Sequence, residues 1–230
     1  MHKQFVICNG MYRTGSTLSY MTVQKLLEAR GHPYDYAGTS AAQVDEELRQ
    51  QLNSTRWRVV KVHHYEPPFD IVRRAFIIYT YRNPLDVMAS LQRLPKFGRT
   101  PYKKRLRYPK KMSTEYFYMK KHPAILMLKY EDVYNDLPAA VDRIREYLGL
   151  PPMPEDVKRI AHEVDPVTVK AFTDSLHEDT ADMKTQLRGK HISETKGEPG
   201  AWEDVLDEEQ IAHTLKMYRE MMLDAGYMTE

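Results

Sequence analysis

The sequence predicts an α/β fold of three layers, with helices covering both faces of a mostly parallel central sheet. Two observations carry this prediction. Four short apolar runs rich in β-branched and aromatic residues read as buried strands: Phe5 to Cys8, Arg58 to Val62, Ala75 to Tyr81 and Ala124 to Leu128. Between and after them lie longer amphipathic stretches, so that strand and helix alternate along the chain.

The first helix is expected over Thr17 to Arg30, where Leu18, Met21, Leu26 and Leu27 fall at helical spacing and Gly31 offers a C′ residue. Pro84 to Leu94 forms the second, with proline in a first turn that has no use for its missing N–H. Leu137 to Leu148 is stopped by Gly149 and the Pro151-Pro152 pair. The last helix runs from about Asp207 to Ala225, with Ile211, Leu215, Tyr218 and Met222 along one face. The stretch from Lys96 to Pro109 has no period and reads as irregular. No repeat, low-complexity tract or flexible linker interrupts the chain. A single domain over residues 1–230 is therefore expected, with 95–121 a candidate lid or substrate-binding insertion.

At 230 residues the chain is long enough for one well-buried domain, and 42% hydrophobic with 29% charged residues is ordinary globular composition. A net charge of +2 gives no reason to expect a nucleic-acid partner. The distribution is more informative. From Lys96 to Lys121 there are ten Lys or Arg against the single acid Glu115; from Glu194 to the end there are ten acids against three Lys or Arg. Such a field has a direction, and an anionic ligand near the middle segment would feel it. The lone Cys8 sits in an apolar run and reads as a core residue, so nothing calls for an oxidising compartment. The apolar stretch at the start is too short for a signal-peptide core or a membrane span. A cytoplasmic protein without stable membrane insertion is the simplest expectation.

The chemistry begins just after the first strand, at the carboxyl edge where parallel α/β sheets bind ligands. Gly10-Met11-Tyr12-Arg13-Thr14-Gly15-Ser16-Thr17 opens directly into a helix and is nearly the phosphate loop GxxxxGK(S/T) of nucleoside triphosphatases. Ser16 stands where that motif has its lysine, and the nearby cation is Arg13, inside the loop. This argues against hydrolysis of ATP or GTP, which uses the lysine on the terminal phosphates. It leaves intact the ability to hold a 5'-phosphate and a group attached to it. Read alone, the loop is equally a glycine turn capped by Ser16 or Thr17.

Arg13-Thr14-Gly15-Ser16-Thr17 resembles the 5'-phosphosulfate loop of sulfotransferases that use 3'-phosphoadenosine 5'-phosphosulfate (PAPS), in the arginine form found among carbohydrate members. Lys61-Val62-His63 resembles the K-T-H segment of the cytosolic members. Tyr81-Arg82-Asn83-Pro84-Leu85-Asp86-Val87-Met88-Ala89-Ser90 is similar to the R-N-P-x-D-x-x-x-S element, and Lys129-Tyr130-Glu131-Asp132 to the family's Y-E-D. Lys196-Gly197-Glu198-Pro199-Gly200-Ala201-Trp202 looks like R-K-G-x-x-G-x-W, with Thr195 replacing the arginine. The segments occur in family order over roughly Phe5 to Tyr227.

The resemblance implies a sulfotransferase fold of the P-loop-like type, PAPS as donor with adenosine 3',5'-bisphosphate as product, and no metal. It implies catalytic roles for His63 as general base and for Lys61 and Arg13 on the transferring group. It implies cofactor contacts from Arg13, Thr14, Gly15, Ser16, Thr17, Arg82, Ser90, Tyr130, Lys196 and Gly197. The 3'-phosphate is assigned to Arg82 and Ser90; with Thr195 in place of arginine, His191 and Arg188 are candidate substitutes. Leu18 stands where small-molecule members carry a tryptophan against adenine.

The residues leave His64 as an alternative base, with His63 favoured because it shares a strand face with Lys61; the resemblance adds Glu66, because some carbohydrate members with this loop type use a carboxylate. They leave the acceptor open between a small molecule and a glycan. An anionic acceptor would suit Lys103-Lys104-Arg105-Leu106-Arg107 and Lys110-Lys111, among which Tyr102, Tyr108, Tyr116 and Tyr118 could stack on it or pack a lid. Alternative functions are a P-loop kinase using ATP and Mg²⁺ and a noncatalytic nucleotide-binding protein. Oligomeric state is not encoded in any motif.

Overall fold

The structure, a computed structural model, describes residues 4–51, 54–93, 102, 110–177, 182–189, 192 and 194–229. Five strands form one sheet: β1 (Phe5–Gly10), β2 (Tyr34–Gly38), β3 (Trp57–Val62), β4 (Phe76–Tyr81) and β5 (Leu126–Lys129). Their order is β2-β3-β1-β4-β5, and every pairing is parallel, with Cys8 beside both Lys61 and Ile78. The first strand to be made thus lies at the centre, with β3 and β4 on either side of it. The chain leaves this strand at the switch point of the sheet, the place where open α/β sheets bind ligands.

All six residues of β1 are buried, as expected of a central parallel strand covered on both faces. Its side chains alternate between two cores. Val6 and Cys8 join Val59, Ile78 and Leu128 under α1 (Ser16–Ala29), α7 (Leu137–Tyr147) and α8 (Pro154–Val164). Phe5 and Ile7 join Val60, Val62, Ile77 and Tyr79 under α2 (Val44–Gln51) and α3 (Phe69–Arg74). These are the three expected layers. Burial pushes the Cys8 thiol up to about 12, which fits a packed core residue and not a nucleophile.

A third cluster closes the carboxyl end of the sheet. Here α4 (Pro84–Gln92), α5 (Lys110–Lys120) and α10 (Glu208–Asp224) pack Met88, Leu91, Met112, Tyr116, Tyr218 and Met222 together beside Met11. The helix α10 starts on a capping box, Asp207 with Gln210. Two further helices are α6 (Tyr130–Asn135) and α9 (Pro166–Ser175).

Of the candidate insertion 95–121, residues 95–101 and 103–109, with Tyr108 and the Lys103 to Arg107 cations, lie outside the described residues, whereas 110–120 are a helix built into the third core. Of the tyrosines offered for stacking or lid packing, three are described and packed: Tyr116 donates to Asp224 at 2.6 Å, Tyr118 to the Pro67 carbonyl at 2.5 Å, and the Tyr102 hydroxyl lies 2.7 Å from that of Thr214. Tyr34–Gly38, which no apolar run marks, is the edge strand β2. No described helix is long and apolar enough to cross a membrane.

Candidate functional site

The loop after β1 is held from within. Thr14 is buried, its hydroxyl donating to the Met11 carbonyl at 2.8 Å and standing 3.3 Å from the Thr80 hydroxyl on β4. Arg13 and Gly15 both take left-handed backbone, at φ 70° and 96°. Gly15 admits no side chain, since a Cβ would fall 2.9 Å from the Tyr130 ring. For Arg13 the same region costs about 1–2 kcal/mol. What that conformation achieves is the aim of the guanidinium, whose Nε donates to Ser90 Oγ at 2.8 Å. No side chain caps α1, so the first-turn amides at Ser16 and Thr17 present a helix N-terminus with partial positive charge.

Cations converge on this turn. Lys61, at the end of β3, is pushed down to about 8 by burial and by the field of Arg188, with Arg13 acting in the same direction. Arg13 is pushed down to about 10 by burial and by Arg82, with Arg93 adding to it. Positive groups that depress one another form a place where an anion would reverse both shifts. Arg82 is buried and donates from Nη2 to the carbonyls of Gly197 at 2.9 Å and Glu198 at 3.2 Å. Its guanidinium lies 4.3 Å from the centre of the Tyr130 ring, and its Nε is buried without a hydrogen-bond partner. Such an orphaned donor is where an added acceptor gains most.

The loop at 195–200 is tied down over this cluster. Besides the Arg82 bonds, the Gly200 amide donates to Asp86 at 3.0 Å and Arg93 donates to the Thr195 hydroxyl at 2.9 Å. Gly197 sits at φ 79°, and a Cβ there would overlap the Tyr130 hydroxyl. Tyr130 therefore separates the two glycine turns, one face of its ring covered by Arg82. Leu18, Tyr130 and Val133 line an apolar cleft beside Gly15. Lys196 is exposed, in left-handed backbone at φ 50°.

The two histidines part company after β3. His63 turns to the β1 loop: its Nδ1 is 2.7 Å from the Gly10 carbonyl and its ring lies 4.3 Å from that of Tyr12. A carbonyl only accepts, so Nδ1 carries the proton and Nε2 is left with its lone pair. Burial and the field of Lys61 push His63 down to about 4. His64, at φ 58°, turns the other way to the buried Glu115 on α5, Nδ1 to Oε1 being 3.0 Å. The second Glu115 oxygen, Oε2, is buried without a hydrogen-bond partner. Glu66 is exposed. Replacing His64 by alanine is expected to cost about 1–3 kcal/mol of stability, because Glu115 loses its hydrogen-bond partner in the core. His63→Ala should cost clearly less, and urea unfolding of the two variants side by side checks the difference.

The structure thus brings Arg13, Thr14, Gly15, Ser16, Thr17, Lys61, His63, Arg82, Ser90, Tyr130, Lys196 and Gly197 to one edge of the sheet, and turns His64 towards α5. Arg188 reaches the Lys61 end and His191 lies outside the described residues; the group on Thr195 is Arg93. Sequence reasoning passes over Arg93, Glu115 and Tyr12. It also passes over Asn9, whose amide donates to the Tyr65 carbonyl at 2.6 Å and ties the β3 loop to β1.

Against known families, residues 110–226, half of the chain, match the sulfotransferase domain. The chain belongs to the sulfotransferase domain family. Solved structures agree on the fold of this sulfotransferase. A mouse sulfotransferase, SULT7A1, complexed with PAP superposes with a TM-score of 0.72 at 16% identity, over 96% of this chain and 85% of that one. Retinol dehydratase in complex with retinol and PAP gives 0.70 at 20% identity, over 97% and 82%. The same enzyme with androsterone and PAP gives 0.67 at 17% identity, over 97% and 82%. No curated protein sequence matches this sulfotransferase.

Proposed function

We propose that this sulfotransferase moves the sulfuryl group of PAPS to a hydroxyl or amine of a small-molecule or glycan acceptor, with His63 as general base. The observation that carries the proposal is the convergence of Arg13, Lys61 and Arg82 with the uncapped start of α1. These donors fit a bisphosphorylated nucleotide: Lys61, Arg13 and the α1 amides for the 5'-phosphosulfate, and Arg82 and Ser90 for the 3'-phosphate, with Tyr130 beside the base. PAP in the solved structures, which is adenosine 3',5'-bisphosphate, supports the same class of ligand. Retinol and androsterone, present in two of them, are alcohols and support a hydroxyl acceptor.

In the reaction the acceptor oxygen bonds to sulfur as the bond from sulfur to the phosphate oxygen breaks, and the nucleotide leaves with that electron pair. The acceptor proton passes to Nε2 of His63, which the Gly10 carbonyl keeps as the free lone pair. Lys61 and Arg13 meet the charge that gathers on the leaving phosphate oxygen. The basic segment 103–111 favours an anionic acceptor, whose affinity should then weaken with salt.

Lys61 also sets a pH dependence. With its pKa near 8 in the free protein, it loses charge as pH rises through 8, and a bound anion pulls the proton back. Binding of adenosine 3',5'-bisphosphate is therefore expected to weaken above pH 8 and to take up protons there. Titrations in buffers of different ionisation enthalpy measure the uptake, and Lys61→Arg should abolish it. The function itself is tested by incubating the protein with PAPS and phenols, sterols, amines and sulfated glycans. Acceptor-dependent release of the bisphosphate with an acceptor gaining SO₃ supports the proposal. Phosphorylation from ATP and Mg²⁺, with PAPS inert, would overturn it.

A further inference from the structure

The loop at 195–200 carries threonine at its first position, yet a guanidinium stands there. Arg93 closes α4 three residues after Ser90, so both lie on one face of that helix. Its Nη1 donates to Thr195 Oγ1 at 2.9 Å across 102 residues of sequence. Ser90 Oγ, one turn away, accepts from Arg13 Nε, and Arg82 holds the next carbonyls of the same loop. Three arginines from three different elements thus surround Ser90 and the 195–198 turn.

Asp86 is 3.9 Å from Arg82 and is occupied by the Gly200 amide. Glu194 turns outward to Lys170 at 3.1 Å. An exposed arginine gains little from a neutral hydroxyl, and placing it near two other arginines costs energy in the absence of an anion. A guanidinium held by a single hydrogen bond keeps further N–H donors for a phosphate, in the fork geometry that phosphate oxygens accept.

We propose that Arg93 is a 3'-phosphate ligand, supplying from α4 the positive charge that Thr195 does not supply from the loop. This rests on the donor nucleotide proposed above. The experiment is calorimetric titration of wild type, Arg93→Ala, Arg93→Gln and Thr195→Val with adenosine 3',5'-bisphosphate and with adenosine 5'-phosphate. Arg93→Ala and Arg93→Gln should weaken the bisphosphate about 10-fold or more and leave the monophosphate within about twofold, so that preference for the 3'-phosphate collapses. Thr195→Val, which removes the hydroxyl but keeps the cation, should weaken the bisphosphate much less. The double variant Arg93→Ala, Thr195→Arg should recover the preference. If Thr195→Val does as much damage as Arg93→Ala, or if both nucleotides weaken equally, Arg93 is a brace for the loop and the proposal is wrong. Wild-type indifference to the 3'-phosphate would instead remove the donor assignment, whereas a wild-type preference untouched in the Arg93 variants would remove this proposal alone.

Discussion

Replacing His63 by alanine is expected to lower kcat by about 10²–10⁴-fold, the usual worth of a positioned general base. Its Nδ1–H is committed to the Gly10 carbonyl, its ring lies against Tyr12, and its pKa near 4 keeps it neutral at physiological pH. Only Nε2 remains to take a proton. Since the free-protein value is near 4, kcat/KM should stay level down to the acid range and fall as the ring gains a proton below it. Loss of that acid limb in His63→Ala would tie the limb to this ring. Glutamine there keeps a polar side chain but no basic nitrogen, so it should not rescue. His64→Ala, corrected for its lower stability, should retain turnover; retention in His63→Ala with loss in His64→Ala would reverse the assignment.

The second large effect is at Lys61, where alanine should reduce kcat by about 10²–10³-fold, the magnitude seen when one donor to a developing charge is removed. The lysine enters from the strand next to β1, so its position depends on the register that sets Cys8 beside Lys61. Arg13 meets the same region from inside the loop. In the proposed mechanism both cations act on one charge, so their double variant should lose less than the product of the single losses. Additive losses would place them on separate anions. Single-turnover rates with a chosen acceptor separate this from weaker donor binding.

The layers and most of the candidate site are legible in the sequence because their signals are local. A buried parallel strand must be a short apolar run, and a phosphate-holding turn must bring glycine to a strand-to-helix junction. Phe5 to Cys8, Arg58 to Val62 and Ala75 to Tyr81 satisfy the first rule, and Gly10 to Thr17 the second. The edge strand Tyr34–Gly38 escapes because none of its residues is buried, so no apolar run marks it. The helix Pro154–Val164 carries Val157, Ile160, Ala161 and Val164 at helical spacing, but the prolines ahead of it read as a boundary. Glu115 and Arg93 are illegible for a different reason. Their partners, His64 and Thr195, lie 51 and 102 residues away in sequence, and only the packing of α4 and α5 beside the loops brings them together. The turn of His64 away from His63 likewise depends on a left-handed residue that no local pattern announces.

Lys61, Arg13, Arg82 and the start of α1 stand or fall together on the identity of one ligand. Calorimetric titration of the purified protein with adenosine 3',5'-bisphosphate, beside adenosine 5'-phosphate and ATP, addresses that ligand directly. Tight binding that requires the 3'-phosphate and weakens in Arg82→Ala is the predicted result. Failure to bind the bisphosphate, or a preference for ATP that depends on Mg²⁺, would contradict it.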